Sequence, residues 1–266
     1  MIPVVLVRVQ SGEVIDCSRK LPPLADVGAD RGGVAGACMG LGEGLAASAR
    51  EFDQDWSDEI DAGDDLHVAE LAHIVVPSVQ GAPADENVGG ALQGLLLQGW
   101  RADQIVVAGD SAGGGLSVML AQRLRDAGQA LPCCLLLLSP YVDYTFAQSS
   151  HTLRASRDPM LSVSVLKRGI AGLLAQQPLT ARQLSPVFAD LSGLPPLCIQ
   201  MGSEEILFDD AQLLGRLADQ AGTPVTLEVY QGLWHDFQLF APQLAIGQRA
   251  VQQLARWART DWSAGA

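Results

Sequence analysis

Residues 109–115 read Gly-Asp-Ser-Ala-Gly-Gly-Gly, and an apolar run, 104–108, stands directly before them. A G-x-S-x-G pentad set between a strand and a helix can hold one serine hydroxyl on a tight turn above a parallel sheet. Ser111 is the candidate nucleophile on that ground. Gly109 and Gly113 flank it because a side chain at either position would strike the neighbouring strand or helix. The serine backbone itself is forced toward sparsely populated φ/ψ, which chains usually tolerate only for function. A serine hydroxyl is a poor nucleophile at neutral pH, so it needs a base to take its proton and an acid to orient that base.

On a sheet of this kind the partners follow in the order serine, acid, histidine. The chain holds four histidines, at 67, 73, 151 and 235. Only His235 follows both Ser111 and a plausible acid, and it stands in Gln231-Gly-Leu-Trp-His-Asp-Phe237 just beyond an expected strand. The preceding loop, Gly202-Ser-Glu-Glu-Ile-Leu-Phe-Asp-Asp210, offers four carboxylates. Asp209 suits a helix N-cap and Asp210 the first helical turn. Glu204 and Glu205 stand nearer the strand end, and Glu205 is favoured as the acid, with Asp209 the alternative. The Ala112 N–H, directly after the serine, is the expected donor to a developing oxyanion.

These residues need a scaffold, and the pattern after Asp103 supplies one. Apolar runs at 104–108, 133–138, 196–201 and 225–230 read as buried strands. Helices are expected at 116–127, 165–174, 209–221 and 243–260. The third carries a capping box from Asp209 and Gln212 with Gly222 as its stop, and the fourth turns Leu244, Val251, Leu254 and Trp257 inward. Short apolar strands alternating with helices imply a parallel sheet covered on both faces. The first 85 residues differ. Seven glycines fall between Gly28 and Gly44, eight acids and no base lie in 51–65, and only 4–9 and 74–76 resemble strands. No domain boundary stands out, so residues 1–266 are expected to form one domain with an atypical segment at 1–85.

The chain has 266 residues, 48% hydrophobic content and a net charge of −13. That is enough for one large core, and the charge argues against a nucleic-acid partner, which calls for a basic footprint. The acidic run lacks the ligand spacing of a calcium loop, so no metal site is expected. The five cysteines, at 17, 38, 133, 134 and 198, contain no C-x-x-C pair and suit a reducing, cytoplasmic setting. The apolar opening, 1–7, is too short to span a bilayer and lacks the basic lead of a signal peptide.

Several separated motifs, in this order, resemble one family. They are Gly-Asp-Ser-Ala-Gly-Gly, Leu138-Ser-Pro-Tyr-Val-Asp143, Asp158-Pro-Met-Leu161, Ser185-Pro-Val-Phe-Ala-Asp-Leu-Ser-Gly-Leu-Pro-Pro196, the 202–210 loop and Gly232-Leu-Trp-His-Asp-Phe237. Together they are similar to the hormone-sensitive-lipase group of α/β-hydrolases, the bacterial family IV esterases, over about residues 86–260. The resemblance implies an α/β-hydrolase fold, with a mostly parallel central sheet and helices on both faces. It implies a carboxylesterase acting on short- to medium-chain acyl esters, a small-molecule ester as the partner, and no cofactor. It supports Ser111 as nucleophile and His235 as base. The family's Asp-x-Leu-x-Asp pattern maps onto 205–209, which puts Glu205 in the acid position.

The N-terminal third departs from the family. The family carries a His-Gly-Gly-Gly stretch whose N–H groups bind the oxyanion, and no His-Gly-Gly occurs in this chain. Gly32 and Gly33 are the candidates for that role. Loss of such donors costs about 100- to 1000-fold in turnover, so a catalytically impaired or ligand-binding hydrolase is the alternative to an active esterase. With two lysines and fifteen arginines the chain suggests a GC-rich gene. Residues 1–85 are accordingly expected to be a shifted frame or a replaced segment, leaving the N-terminal part of the fold incomplete.

Overall fold

The computed structural model describes residues 4–8, 92–97, 99–175 and 178–258. The expected strand at 74–76, the acidic run and the glycines at 32 and 33 lie outside them. Five strands form one sheet in the order β1 (Val4–Arg8), β2 (Ile105–Asp110), β3 (Cys134–Leu138), β4 (Leu197–Gly202), β5 (Val225–Tyr230). β1 runs antiparallel to β2, with Val5 opposite Ala108, and the remaining pairs are parallel. Leu136 pairs with Cys198 and Cys198 with Thr226, so β3, β4 and β5 march in step toward one edge.

The inner strands are apolar throughout because both faces of the sheet are covered. On one face Ile105, Val107, Leu135, Leu137, Leu197 and Ile199 pack against two helices, α1 (Ala112–Asp126) and α3 (Phe208–Gln220). On the other, Val106, Cys134, Leu136 and Cys198 meet Leu254, Trp257 and Ala258 of α4 (Ala245–Ala258). Cys134 and Cys198 are fully buried thiols, whereas Cys133, in the same apolar run as Cys134, is only half-buried. Between these elements α2 (Val163–Leu174) lays Leu166 and Ile170 over Tyr141, Tyr144, Ile206 and Leu207, closing a smaller core beside the 203–207 loop.

Two boundaries differ from the sequence reading for a physical reason. The first helix begins at Ala112, not Leu116, so the glycines at 113–115 lie inside it. Helix propensity disfavours them, but close packing requires them. A Cβ on Gly114 would lie 2.8 Å from Pro140 Cβ, and one on Gly115 would lie 2.3 Å from the Tyr141 carbonyl oxygen. The third helix begins at Phe208 with Leu207 as its N-cap and no side-chain capping bond. The expected Asp209–Gln212 capping box does not form, because the Asp209 carboxylate is engaged elsewhere.

Gly109 is the tightest of these close approaches. A methyl group there would lie 2.4 Å from both the carbonyl carbon and oxygen of Gly113, atoms that cannot move without shifting the helix. Gly109→Ala is expected to lower unfolding free energy by about 3 kcal/mol, toward the upper end of overpacking costs. Urea denaturation followed by tryptophan fluorescence measures it.

Candidate active site

β2 ends at Asp110 and α1 starts at Ala112, which leaves Ser111 alone at the turn with φ 51° and ψ −120°. Its backbone is pinned from three sides. Its N–H donates to the Leu138 carbonyl (2.8 Å), and its own carbonyl accepts from Tyr141 N–H (2.8 Å) and Gly114 N–H (3.1 Å). The strained backbone is thus held by the end of β3 and by the first turn of α1. Ala112 N–H is among the first-turn donors that have no intrahelical acceptor.

His235 arrives from the loop after β5. That loop is packed directly on the end of β4. A Cβ on Gly202 would lie 2.2 Å from the Leu233 carbonyl oxygen, so only glycine admits this approach. Glu204 N–H donates to Leu233 O (2.8 Å), Ser203 N–H to Tyr230 O (2.9 Å) and Gly232 N–H to Ser203 Oγ (2.9 Å). Three residues past the histidine, Gln238 Nε2 donates to Oε1 of Gln200 (3.3 Å), whose own amide reaches Ala250 O (2.9 Å) in α4. Held this way, the His235 imidazole is 4% exposed and its Nε2 lies 3.0 Å from Ser111 Oγ. Residues 124 positions apart meet as the order of motifs predicted.

Glu205 is fully buried at the end of β4. Its Oε2 accepts from Ser139 Oγ (2.7 Å) and Gly202 N–H (3.0 Å). Among the described residues its Oε1 has no hydrogen-bond partner, and neither does His235 Nδ1. No hydrogen bond joins the two residues, though the Glu205 charge is close enough to favour a protonated His235. Asp209, the alternative acid, does not meet the histidine. Its Oδ2 accepts from Ser150 N–H (2.8 Å) while its own N–H donates to Ser150 Oγ (3.1 Å), a reciprocal clamp between α3 and the short helix at Ser150–Leu153.

A family profile described as the alpha/beta hydrolase fold matches residues 84–239. The chain belongs to the α/β-hydrolase family. It is 40% identical over 209 residues to an acetyl-hydrolase of Streptomyces hygroscopicus, a match covering 76% of this chain and 69% of that protein. It is 34% identical over 194 residues to an esterase of Acinetobacter venetianus, covering 71% of this chain and 64% of that one. A crystal structure of an esterase from the bacterial hormone-sensitive lipase family superposes with TM-score 0.67 at 34% identity, over 72% of this chain and 65% of that chain. The hydrolase is therefore of the hormone-sensitive-lipase type, and it spans about two thirds of the length of these relatives. Among the described residues no helix is long and apolar enough to cross a membrane.

Sequence reasoning missed several groups of this hydrolase site. Asp236, itself in the left-handed region at φ 51°, places Oδ2 2.9 Å from His235 Nε2, the same nitrogen that faces Ser111. A carboxylate cannot donate to that nitrogen, so this contact fits the imidazolium, with both ring nitrogens protonated, and only loss of the Nε2 proton frees that nitrogen to accept from Ser111 Oγ. Burial by itself would lower the His235 pKa. The hydrogen bond and charge of Asp236, with the charges of Glu205 and Asp158, overcome it and raise the value to about 9. Asp110, in the motif itself, is pushed up to about 7 by burial and by the charge of Asp236. Asp158 adds a further carboxylate charge that raises the His235 pKa. Its Oδ1 caps Met160 and Leu161 N–H while Oδ2 accepts from Ile206 N–H (3.0 Å), which fixes the residue after Glu205.

A second histidine was set aside at the sequence level and proves structural. His151 Nε2 lies 2.7 Å from Asp210 Oδ2, both groups buried, with Asp143 N–H donating to the other Asp210 oxygen (3.1 Å). Burial raises the Asp210 pKa to about 6, and the imidazole opposes that rise. Removing the imidazole strands a buried carboxyl, so His151→Ala should cost about 3 kcal/mol in chemical denaturation.

A base must be neutral to accept a proton. With the His235 pKa at about 9, kcat/KM for ester hydrolysis should climb with pH and reach half its plateau near 9. The folded-state value exceeds the ordinary 6.5, so the stabilisation is full below 6.5 and is lost as pH rises through about 9. Asp236→Asn removes the largest raising influence and should move the rate profile down by about one pH unit or more. A pH–rate series on both proteins measures the shift.

Proposed function

We propose that this chain is a serine carboxylesterase acting on short- to medium-chain acyl esters through Ser111, His235 and Glu205. The observation that carries the reading is the 3.0 Å approach of His235 Nε2 to the hydroxyl of a serine held at φ 51° on the strand–helix turn. In this reading Ser111 Oγ attacks the ester carbonyl carbon as its proton passes to His235 Nε2. The carbonyl oxygen takes up the negative charge beside Ala112 N–H, a position where a backbone donor lowers the barrier most. Collapse of the tetrahedral intermediate breaks the ester C–O bond, and the leaving alcohol takes the proton from Nε2. Water then attacks the acyl-serine with His235 again as base, and the carboxylic acid departs. Gly32 and Gly33, outside the described residues, are the further oxyanion donors the sequence offers.

Glu205 is the acid in this proposal. It is buried, its free oxygen and the free His235 Nδ1 are complementary as acceptor and donor, and the charge-free alternative for each is an unpaired buried polar atom. Catalytic hydrogen bonds are often loose before substrate binds. Burial raises the Glu205 pKa to about 7, opposed by the His235 charge and by the Ser139 and Gly202 hydrogen bonds.

The lack of any His-Gly-Gly stretch favours a second reading, a ligand-binding or impaired hydrolase with the same pocket. Hydrolysis of p-nitrophenyl butyrate separates the two. Ser111→Ala and His235→Ala should each lose at least about 1000-fold in kcat, and a fluorophosphonate probe should label the parent protein and not Ser111→Ala. Equal rates in parent and Ser111→Ala remove the esterase reading.

A further inference from the structure

We infer that Ser139 is a positioning residue, whose hydroxyl holds Glu205 and the His235 loop in register with each other. The inference rests on the esterase reading above and extends it to a fully buried side chain outside the three reacting groups. Ser139 follows β3 and is fully buried, at φ 44°. Glycine would occupy such a backbone without strain, and the following Pro140 favours extended backbone at this position. A serine is nevertheless present, and its side chain is fully used. Oγ donates to Glu205 Oε2 (2.7 Å) and accepts from Asp236 N–H (3.1 Å).

Those two bonds add a side-chain link between loops already joined by the Glu204–Leu233, Ser203–Tyr230 and Gly232–Ser203 hydrogen bonds. Glu205 comes from the end of β4 and Asp236 from the loop after β5, next to His235. Ser139 is itself fixed to β4 by donation of its N–H to Gln200 O (2.7 Å), and the adjacent Leu138 carbonyl holds Ser111 N–H (2.8 Å). Ser139 and the adjacent Leu138 thus touch the segments that carry all three reacting groups, Ser139 those of Glu205 and His235 and Leu138 that of Ser111. The hydroxyl occupies Oε2 together with Gly202 N–H, which leaves Oε1 as the oxygen free to meet the imidazole. It also donates to the ionised form of Glu205 and opposes the upward push of burial. The charged and polar groups facing that carboxylate are Ser139, Gly202 N–H, His235 and Asp236.

The test is Ser139→Ala assayed on p-nitrophenyl butyrate across pH, alone and combined with Glu205→Ala. Loss of the hydroxyl should lower kcat about 10- to 100-fold at pH 7, as small misplacements in a catalytic site do, with KM within about twofold. The deficit should narrow at pH 9.5, where Glu205 is ionised without the bond. In the Glu205→Ala background the same substitution should cost less than about twofold, since residues that act through one another are not additive. A deficit constant with pH, or an equal cost in both backgrounds, overturns the role of Ser139 while a large loss in Glu205→Ala leaves the triad standing. Parent-like activity in Glu205→Ala overturns both. If Ser139→Ala does not fold, Ser139→Cys keeps the shape with a weak donor and gives the same pH readout.

Discussion

The parallel pairing of β2 through β5 is the constraint on which the site depends. Parallel strands end at the same edge, so the loops after them emerge side by side although their residues are far apart in the chain. The turn after β2 carries Ser111, the end of β3 carries Ser139, the end of β4 carries Glu205, and the loop after β5 carries His235. A shift of one residue in any of these pairings would turn each terminal side chain to the opposite face. The apolar filling on both faces, from α1 and α3 on one side and α4 on the other, is what fixes the register.

Above that frame the loops hold one another by backbone contact more than by side-chain packing. Gly202 lets the Leu233 carbonyl come against β4, Gly115 lets Tyr141 come against α1, and Gly109 lets α1 turn immediately after β2. Each approach removes the room that a mobile loop would need. The energetic counterpart is strain at Ser111, Ser139 and Asp236, all non-glycine residues at positive φ. Such conformations persist only where surrounding contacts over-determine them, and here the three lie within hydrogen-bonding reach of the same few groups.

The electrostatics of the site are balanced between burial and charge. Glu205, Asp110 and Asp210 are all driven toward protonation by loss of water, while His235 is driven toward protonation by the carboxylates around it. The acidic neighbours thus favour the imidazolium form of His235.

The strands, the G-x-S-x-G turn, the order of Ser111 before Glu205 before His235 and the family itself were legible in the sequence, because local apolar runs and steric demands of a tight turn are written in neighbouring residues. Helix starts at Ala112 and Phe208 were not, since close packing overrode glycine propensity in one case and the Ser150 clamp took Asp209 from its cap in the other. Nor were the roles of Ser139, Asp158 and Asp236. Ser139 read only as the end of a strand before proline, and nothing in a linear chain says which loop it will face. Residue type and order determined which chemistry this protein could hold. Only the tertiary structure decided which carboxylates surround the imidazole, because those distances are set by strand register and loop contact between segments remote in sequence.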